Sequence, residues 1–279
     1  MNRRDGCMCL RLKIVHGKMT FTENETCNYP WKVTNIIERR ELRPGQEFPQ
    51  SDMAKIHKKQ IHVYASVHKG IRNLFALVTF QAGNTDWTDS AEVSILHGEW
   101  KAALKLLNSH QEYENRIIHP VLDKVSFGSH RGYEAEHHVH WKILNRLDSQ
   151  FKHLLNDNVS ETERSEIGLD FYRQLNMFYA DFLKHLNREE TEAEQILNSR
   201  CLPESLTRML EQIISSIPQD EMLLYIYCIF PAINLPECMD LMKSIKRAVP
   251  KESLGSLEGH VRKIRGESDW KAIKESLEI

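Results

Sequence analysis

Glycine and proline are scarce in this sequence, whose 279 residues include 12 glycines and 9 prolines. Folds built from many short strands need a turn roughly every 10 residues, and those turns draw heavily on both residue types. Long stretches rich in Leu, Ile, Glu, Lys and Asn run between the few glycines and prolines instead. The composition therefore predicts an all-α fold.

The sequence also lacks an excess of charge of one sign and a long apolar run. Its formal net charge is −2, so no overall basic field favours nucleic acid as a partner. The most apolar run, Met222 to Phe230, is bounded by Glu221 and Pro231 and is too short to cross a bilayer. We therefore expect neither a nucleic-acid partner nor a membrane.

Cysteine is present in small number and without a recognisable framework. The six cysteines are scattered along the chain, and its start shows no secretory signal of basic, apolar and cleavage-site regions. A reducing compartment suits such a chain better than an oxidising one. We expect a cytoplasmic protein.

The spacing of apolar residues divides the chain into three parts. Residues 1–50 contain Pro30, Pro44 and Pro49 and show no sustained period, which predicts an irregular N-terminal arm. Residues 51–200 show four long stretches with apolar residues three and four apart, which predict an up-down four-helix bundle. Residues 201–279 show shorter stretches separated by prolines and predict a C-terminal helical extension that covers the bundle.

Capping and helix-breaking residues give the bounds of the four predicted helices. The first begins after Ser51-Asp52 and ends at Gly83-Asn84, and the second runs from Asp89-Ser90 to His119-Pro120. The third follows Gly128 and Gly132 and ends at Asn156, and the fourth carries apolar residues from Ile167 to Ile196 on one face.

Histidine is the unusual residue type, because the 14 histidines outnumber the glycines. Each predicted helix has one histidine at a position where the apolar stripe requires a core residue, and two of these are followed four residues later by glutamate: His68, His110 with Glu114, His137, and His185 with Glu189. Side chains four apart lie on one helix face, so each pair can hold one ion. Buried carboxylates need a cation, and mixed imidazole and carboxylate ligands favour iron, manganese or zinc.

Other polar residues near these positions have simpler interpretations. His138 is the alternative to His137 as the ligand from the third helix. We expect packing or surface roles for His57, His62 and His97, and a helix-capping role for His119. Glu112, Glu190 and Glu192 fit a helix surface, and Glu190 can also support a ligand from behind.

The chain resembles the hemerythrin-like, or HHE cation-binding, family. That family has a histidine on the first helix, His-x-x-x-Glu on the second, a histidine on the third and His-x-x-x-Glu on the fourth, and this order and spacing match over roughly residues 55 to 200. The resemblance implies a four-helix bundle with a non-haem centre of two iron ions, for which manganese or zinc can substitute. It also implies bridging glutamates and an open position for dioxygen, peroxide or another small oxidant.

One departure from the family pattern bears on function. Oxygen-carrying members place a second histidine four residues after the first on the third helix, whereas Trp141 stands at that distance from His137. We therefore expect a protein that binds or senses oxygen or another small oxidant, or that handles iron, rather than a reversible carrier. One alternative is a di-iron oxidase or a peroxide- or nitric-oxide-processing enzyme. Another is a metal-free or zinc-filled helical scaffold that binds a protein partner through its C-terminal extension.

Overall fold

The computed structural model describes residues 10–15, 18–23, 60–156 and 158–277. Two compact units divide between Lys59 and Gln60. The first contains strands β1 (Leu10–Val15) and β2 (Lys18–Glu23). The second is helical, and its α-helices are α1 (Ala65–Asn84), α2 (Ser90–Tyr113), α3 (His119–Val125), α4 (Arg131–Leu154), α5 (Glu161–Arg188), α6 (Glu194–Arg200), α7 (Pro203–Ser216), α8 (Gln219–Ile229), α9 (Leu235–Ala248) and α10 (Lys251–Leu277).

The two strands form an antiparallel hairpin in which Leu10 pairs with Glu23 and Val15 with Lys18. Apolar and polar residues alternate along both strands, which is the period of an extended chain. The prediction of an irregular arm is therefore wrong for these two segments. The three prolines on which that prediction rested lie outside the described residues.

Helices α1, α2, α4 and α5 form a four-helix bundle, in which each helix packs on two others: α1 on α2 and α5, and α4 on α2 and α5. Its core consists of large apolar side chains from all four helices, including Ile71, Phe75, Trp100, Leu107, Leu144, Phe151, Phe171 and Phe182. Asp89 caps α2 by accepting hydrogen bonds from the backbone N–H groups of Ala91 and Glu92, as the sequence predicts. The prediction of an all-α four-helix bundle is confirmed.

The first bundle helix begins later than predicted, at Ala65 rather than after Ser51-Asp52. Residues 51–59 lie outside the described residues, and residues 60–64 are not helical. Their backbone N–H groups donate hydrogen bonds to side chains of α6 instead. Ile61 N donates to Asn198 Oδ1 at 3.0 Å, and Val63 N donates to Glu194 Oε1 at 2.6 Å. These contacts replace the hydrogen bonds of a helix turn.

Two bundle helices continue through a widened π-helical turn into a short helix. Glu114–Ile118 joins α2 to α3, and Glu189–Ala193 joins α5 to α6. The predicted end of the second helix at His119-Pro120 is therefore wrong, because α3 runs on to Val125. Pro120 lies in the first turn of α3, where its missing N–H costs little.

The C-terminal helices pack on the bundle chiefly through α8, which lies against α1 and α2. A Cβ at Gly70 would lie 3.0 Å from the Cys228 carbonyl oxygen, so the glycine permits α8 to approach closely. Ser109 Oγ also lies within 2.8 Å of the Tyr225 hydroxyl oxygen. Among the described helices, none combines the length and the apolar character that spanning a membrane requires.

Candidate metal centre

A cluster of buried polar side chains lies in the bundle core, and it includes all six predicted ligands. His68 comes from α1, His110 from α2, His137 from α4 and His185 from α5. Glu114 and Glu189 are the first residues of the two π-helical turns. All six residues are at most 5% exposed. The structure thus brings together the residues that the sequence singled out.

The first half of the cluster contains two imidazoles and one oxygen from each glutamate. His110 Nε2 lies 3.1 Å from Glu114 Oε1. His68 Nε2 lies 3.5 Å from the same oxygen and 3.5 Å from Glu189 Oε2. These four residues form one group whose donor atoms can hold a metal ion.

The second half uses the other oxygen of each glutamate. His137 Nε2 lies 3.3 Å from Glu114 Oε2 and 3.6 Å from Glu189 Oε1. His185 Nε2 lies 3.3 Å from Glu189 Oε1 and 3.0 Å from His137 Nε2. These residues form a second group able to hold a metal ion. Each carboxylate therefore directs one oxygen to each pair of histidines.

The distances between these atoms, and their lack of hydrogen-bond partners, fit the binding of two cations. Metal bonds of about 2.0–2.2 Å to nitrogen and oxygen place neighbouring ligand atoms roughly 3.0–3.5 Å apart, which is the spacing seen here. Within the described residues, none of the four carboxylate oxygens of Glu114 and Glu189 has a hydrogen-bond partner, and neither has the Nε2 atom of His68 or of His110. Buried polar atoms without partners are costly, and coordination to a cation removes that cost.

The π-helical turns place the two carboxylates. Each turn starts at the glutamate of a His-x-x-x-Glu pair, and such turns inside α-helices occur frequently at functional sites. The following residue also faces the cluster: Asn115 Oδ1 lies 2.9 Å from His137 Nδ1, and Glu190 Oε1 lies 3.0 Å from His68 Nδ1. Each widened turn therefore supplies one central carboxylate and one supporting side chain.

Hydrogen bonds behind the histidines orient their Nε2 atoms towards the centre. Glu190 also accepts a hydrogen bond from Arg72 Nη1 at 2.5 Å. On the other side, His185 Nδ1 lies 2.7 Å from Glu136 Oε2, and Glu136 pairs with Arg188. A carboxylate that accepts Nδ1–H leaves Nε2 as the lone-pair nitrogen, which is the tautomer a metal requires. Asn115 and Glu136 were not predicted, although each adjoins a predicted ligand in the sequence.

The charges of the cluster shift the pKa values of its members. Burial lowers the pKa of His68, but the Glu114 and Glu190 carboxylates outweigh it and raise the value to about 9. Burial acts in the same way on His137, whose pKa the Glu114 and Glu189 carboxylates raise to about 9. Burial raises the pKa of Glu114, but His110 and the other imidazoles hold it well below its ordinary value. The glutamates thus form a negative centre that attracts cations.

The remaining histidines of α4 lie apart from the central donor atoms. His138 is exposed and stacks on the half-exposed Trp141, so His137 is the histidine of this pair that joins the cluster. His140 is buried among aromatic rings, with its ring centre 5.2 Å from that of Phe182. Burial, followed by the neighbouring His185, lowers the pKa of His140 to about 4. His140 is therefore a neutral core residue.

The described histidines outside α4 for which packing, surface or capping roles were predicted do not contribute to the two groups of metal-binding atoms. His62 is exposed and lies 3.2 Å from Glu194, and His97 is half-buried against Phe151, whereas His57 lies outside the described residues. The predicted capping role of His119 is wrong, because its ring is 1% exposed and stacks on His137. The helix does not end at His119 but continues through Pro120.

Comparisons with known proteins identify the domain. Residues 59–197 match the family model described as "Hemerythrin HHE cation binding domain". Searches of curated proteins and of solved structures each gave no match. The matched residues span the four bundle helices, both π-helical turns and all six clustered residues. The chain therefore contains a domain of the hemerythrin HHE cation-binding family.

Proposed function

We propose that this domain holds two non-haem iron ions. His68 and His110 bind one ion, His137 and His185 bind the other, and Glu114 and Glu189 bridge them. The observation that carries this proposal is the division of each carboxylate between the two histidine pairs, since Glu114 Oε1 faces His110 and Glu114 Oε2 faces His137. Paired carboxylate and histidine ligands from facing helices are the known arrangement of di-iron sites in helical bundles.

The ligand count supports binding of a further small molecule. Each group offers two imidazoles and two carboxylate oxygens, whereas iron also accepts higher coordination numbers. An exogenous diatomic molecule or peroxide can fill the difference. We infer that the protein binds or senses oxygen or another small oxidant, or handles iron; an oxidase or a peroxide- or nitric-oxide-processing enzyme would also turn over with a reductant.

The scaffold alternative is less well supported. A metal-free bundle would bury both glutamates with only the imidazoles of the cluster as charge partners, and none of their four carboxylate oxygens accepts a hydrogen bond from the described residues. Taking such a group of charges out of water carries a large desolvation penalty, which ion pairs without well-aligned hydrogen bonds offset only in part. A scaffold needs none of these residues, and an apolar core of the same volume would serve it better.

We also propose that the protein is located in the cytoplasm. Cys228 and Cys238 are free thiols in the part of the chain that the structure describes, which supports a reducing, cytoplasmic environment. A protein partner that binds the C-terminal extension stays a prediction.

The proposal is tested by purifying the full chain from cells grown with iron and measuring its metals by plasma mass spectrometry. We expect about two iron ions per chain, together with a near-ultraviolet absorption band that bleaches on anaerobic reduction. The double variant His110→Ala with Glu114→Ala should lose both ions and the band. The variant Glu112→Ala, whose side chain is 68% exposed, is the control and should retain them.

The same preparation distinguishes binding from turnover. Sustained oxygen or peroxide consumption with excess reductant would indicate the enzyme, and a single stoichiometric reaction would indicate binding or sensing. A chain that takes up no iron, or zinc alone with no redox-sensitive band, would refute the di-iron proposal and favour the scaffold.

A further inference from the structure

Tyr64 lies directly beside the cluster, one helical turn before His68. Its side chain is 1% exposed, and its ring centre lies 5.3 Å from that of His68. The backbone there is firmly held, because Tyr64 N donates to Glu194 Oε1 at 3.4 Å and Tyr64 O accepts from His68 N at 3.0 Å. The position of this ring is therefore fixed by the start of α1.

The Tyr64 hydroxyl has no hydrogen-bond partner among the described residues. A phenol has an ordinary pKa of about 10, so it keeps its proton at neutral pH and is a hydrogen-bond donor. The Tyr64 ring packs on His68, and His68 Nε2 lies 3.5 Å from both Glu114 Oε1 and Glu189 Oε2, so Tyr64 lies beside the carboxylates that join the two histidine pairs.

Other tyrosines of the described chain do have partners for their hydroxyl groups. Tyr133 donates to Glu192 Oε2 at 3.4 Å, Tyr179 to the Arg72 carbonyl at 2.9 Å, and Tyr113 to the Ser216 carbonyl at 3.1 Å. A buried hydroxyl normally finds such a partner, and one without a partner calls for a specific explanation. The difference singles out Tyr64.

We propose that the Tyr64 hydroxyl donates a hydrogen bond to the small ligand that binds the metal pair. This inference rests on the proposed function. The ligand is anionic or becomes so on binding, as azide and peroxide do, since a neutral phenol donor stabilises negative charge. Tyr64 thereby favours small anions and reduced oxygen species over neutral molecules that accept no hydrogen bond.

The test uses the iron-loaded, oxidised full chain and sodium azide as the probe. Azide is titrated into wild type, Tyr64→Phe and Tyr133→Phe, and its charge-transfer absorption gives a dissociation constant for each. We expect Tyr64→Phe to retain about two iron ions and to bind azide about tenfold more weakly, the usual effect of losing a hydrogen bond to a charged group. Tyr133→Phe should bind as wild type does.

Two further measurements separate a hydrogen bond from a structural effect. The infrared stretch of bound azide should shift in D₂O for wild type and Tyr133→Phe but not for Tyr64→Phe. Metal-free Tyr64→Phe should unfold at the same temperature as wild type or higher, because it removes a buried hydroxyl without a partner.

The outcomes distinguish this inference from the proposed function. Iron-loaded Tyr64→Phe with unchanged azide affinity and an unchanged D₂O shift would overturn the role of Tyr64 alone. A visible phenolate-to-iron band that disappears in Tyr64→Phe would also overturn it, since Tyr64 would then be a metal ligand. Wild type without bound iron would overturn both proposals.

Discussion

At the scale of single residues, the support behind each ligand is as specific as the ligand itself. Glu190 holds His68 Nδ1 at 3.0 Å and is itself held by Arg72. Burial raises the pKa of Glu190, but His68 and Arg72 outweigh it and lower the value to about 2. This carboxylate is therefore charged under all physiological conditions and fixes the tautomer of His68.

Replacing Glu190 with glutamine tests this support. The amide keeps the size of the side chain but removes its charge, so His68 Nδ1 is left with a neutral acceptor and Nε2 becomes a weaker metal ligand. We expect metal affinity to fall by about 10–100-fold, measured by competition with a chelator of known affinity. Glu112→Gln, which alters an exposed carboxylate on α2, is the control and should leave affinity unchanged. Equal affinities for the two variants would contradict the supporting role.

At the scale of secondary structure, the start of α1 depends on a residue far along the chain. Glu194 of α6 accepts hydrogen bonds from Val63 N and Tyr64 N, and its carboxylate lies at the positive end of α1. It thereby serves as a cap provided by another helix. Since Glu194 follows the π-helical turn that begins at Glu189, one segment both supplies a ligand and fixes the entry of the chain into the bundle.

The variant Glu194→Ala should destabilise the bundle by about 2–3 kcal/mol, because two buried N–H groups lose a charged acceptor. Chemical denaturation of the metal-free chain measures the change in the free energy of unfolding. Glu112→Ala removes a carboxylate that is 68% exposed and should cost less than about 1 kcal/mol. A loss for Glu194→Ala no larger than for Glu112→Ala would show that the cap contributes little.

The elements also show which features could be predicted from the sequence. Spacings of three and four residues suffice to place four helices and the inward-facing histidines, because the bundle core selects one face of each helix. The start of α1 was missed, since Ile61 and Tyr64 fit the helical stripe but bind to α6. The π-helical turns were missed because they change the hydrogen-bonding pattern and leave the His-x-x-x-Glu spacing as it is. Supporting contacts such as that of Glu136 with His185 depend on tertiary packing.

At the scale of the whole molecule, buried histidines whose pKa values are shifted in opposite directions make the stability of the fold depend on pH. The carboxylates raise the pKa of His68 and His137 to about 9, so the metal-free folded state binds protons there more tightly than the unfolded chain. Burial lowers the pKa values of His119 and His140, so the unfolded chain binds protons more tightly at these two. The stability that His68 and His137 contribute is complete below pH 6.5 and is lost as the pH rises through 9. His119 and His140 destabilise the fold as the pH falls below 6.5.

The metal-free chain should therefore be most stable near pH 6.5, the ordinary pKa of histidine from which both pairs depart in opposite directions. Cations displace the protons from His68 and His137, so the loaded chain should not lose stability between pH 6.5 and 9, and the stabilisation by metal should grow across that range. Urea denaturation with excess chelator, and with bound metal, at pH 5, 6.5, 8 and 9 measures both trends. The variant His140→Phe should remove part of the decline below pH 6.5 and leave the decline above it unchanged. A metal-free stability that rises from pH 6.5 to 9 would show that the carboxylates do not hold these imidazoles in their protonated form.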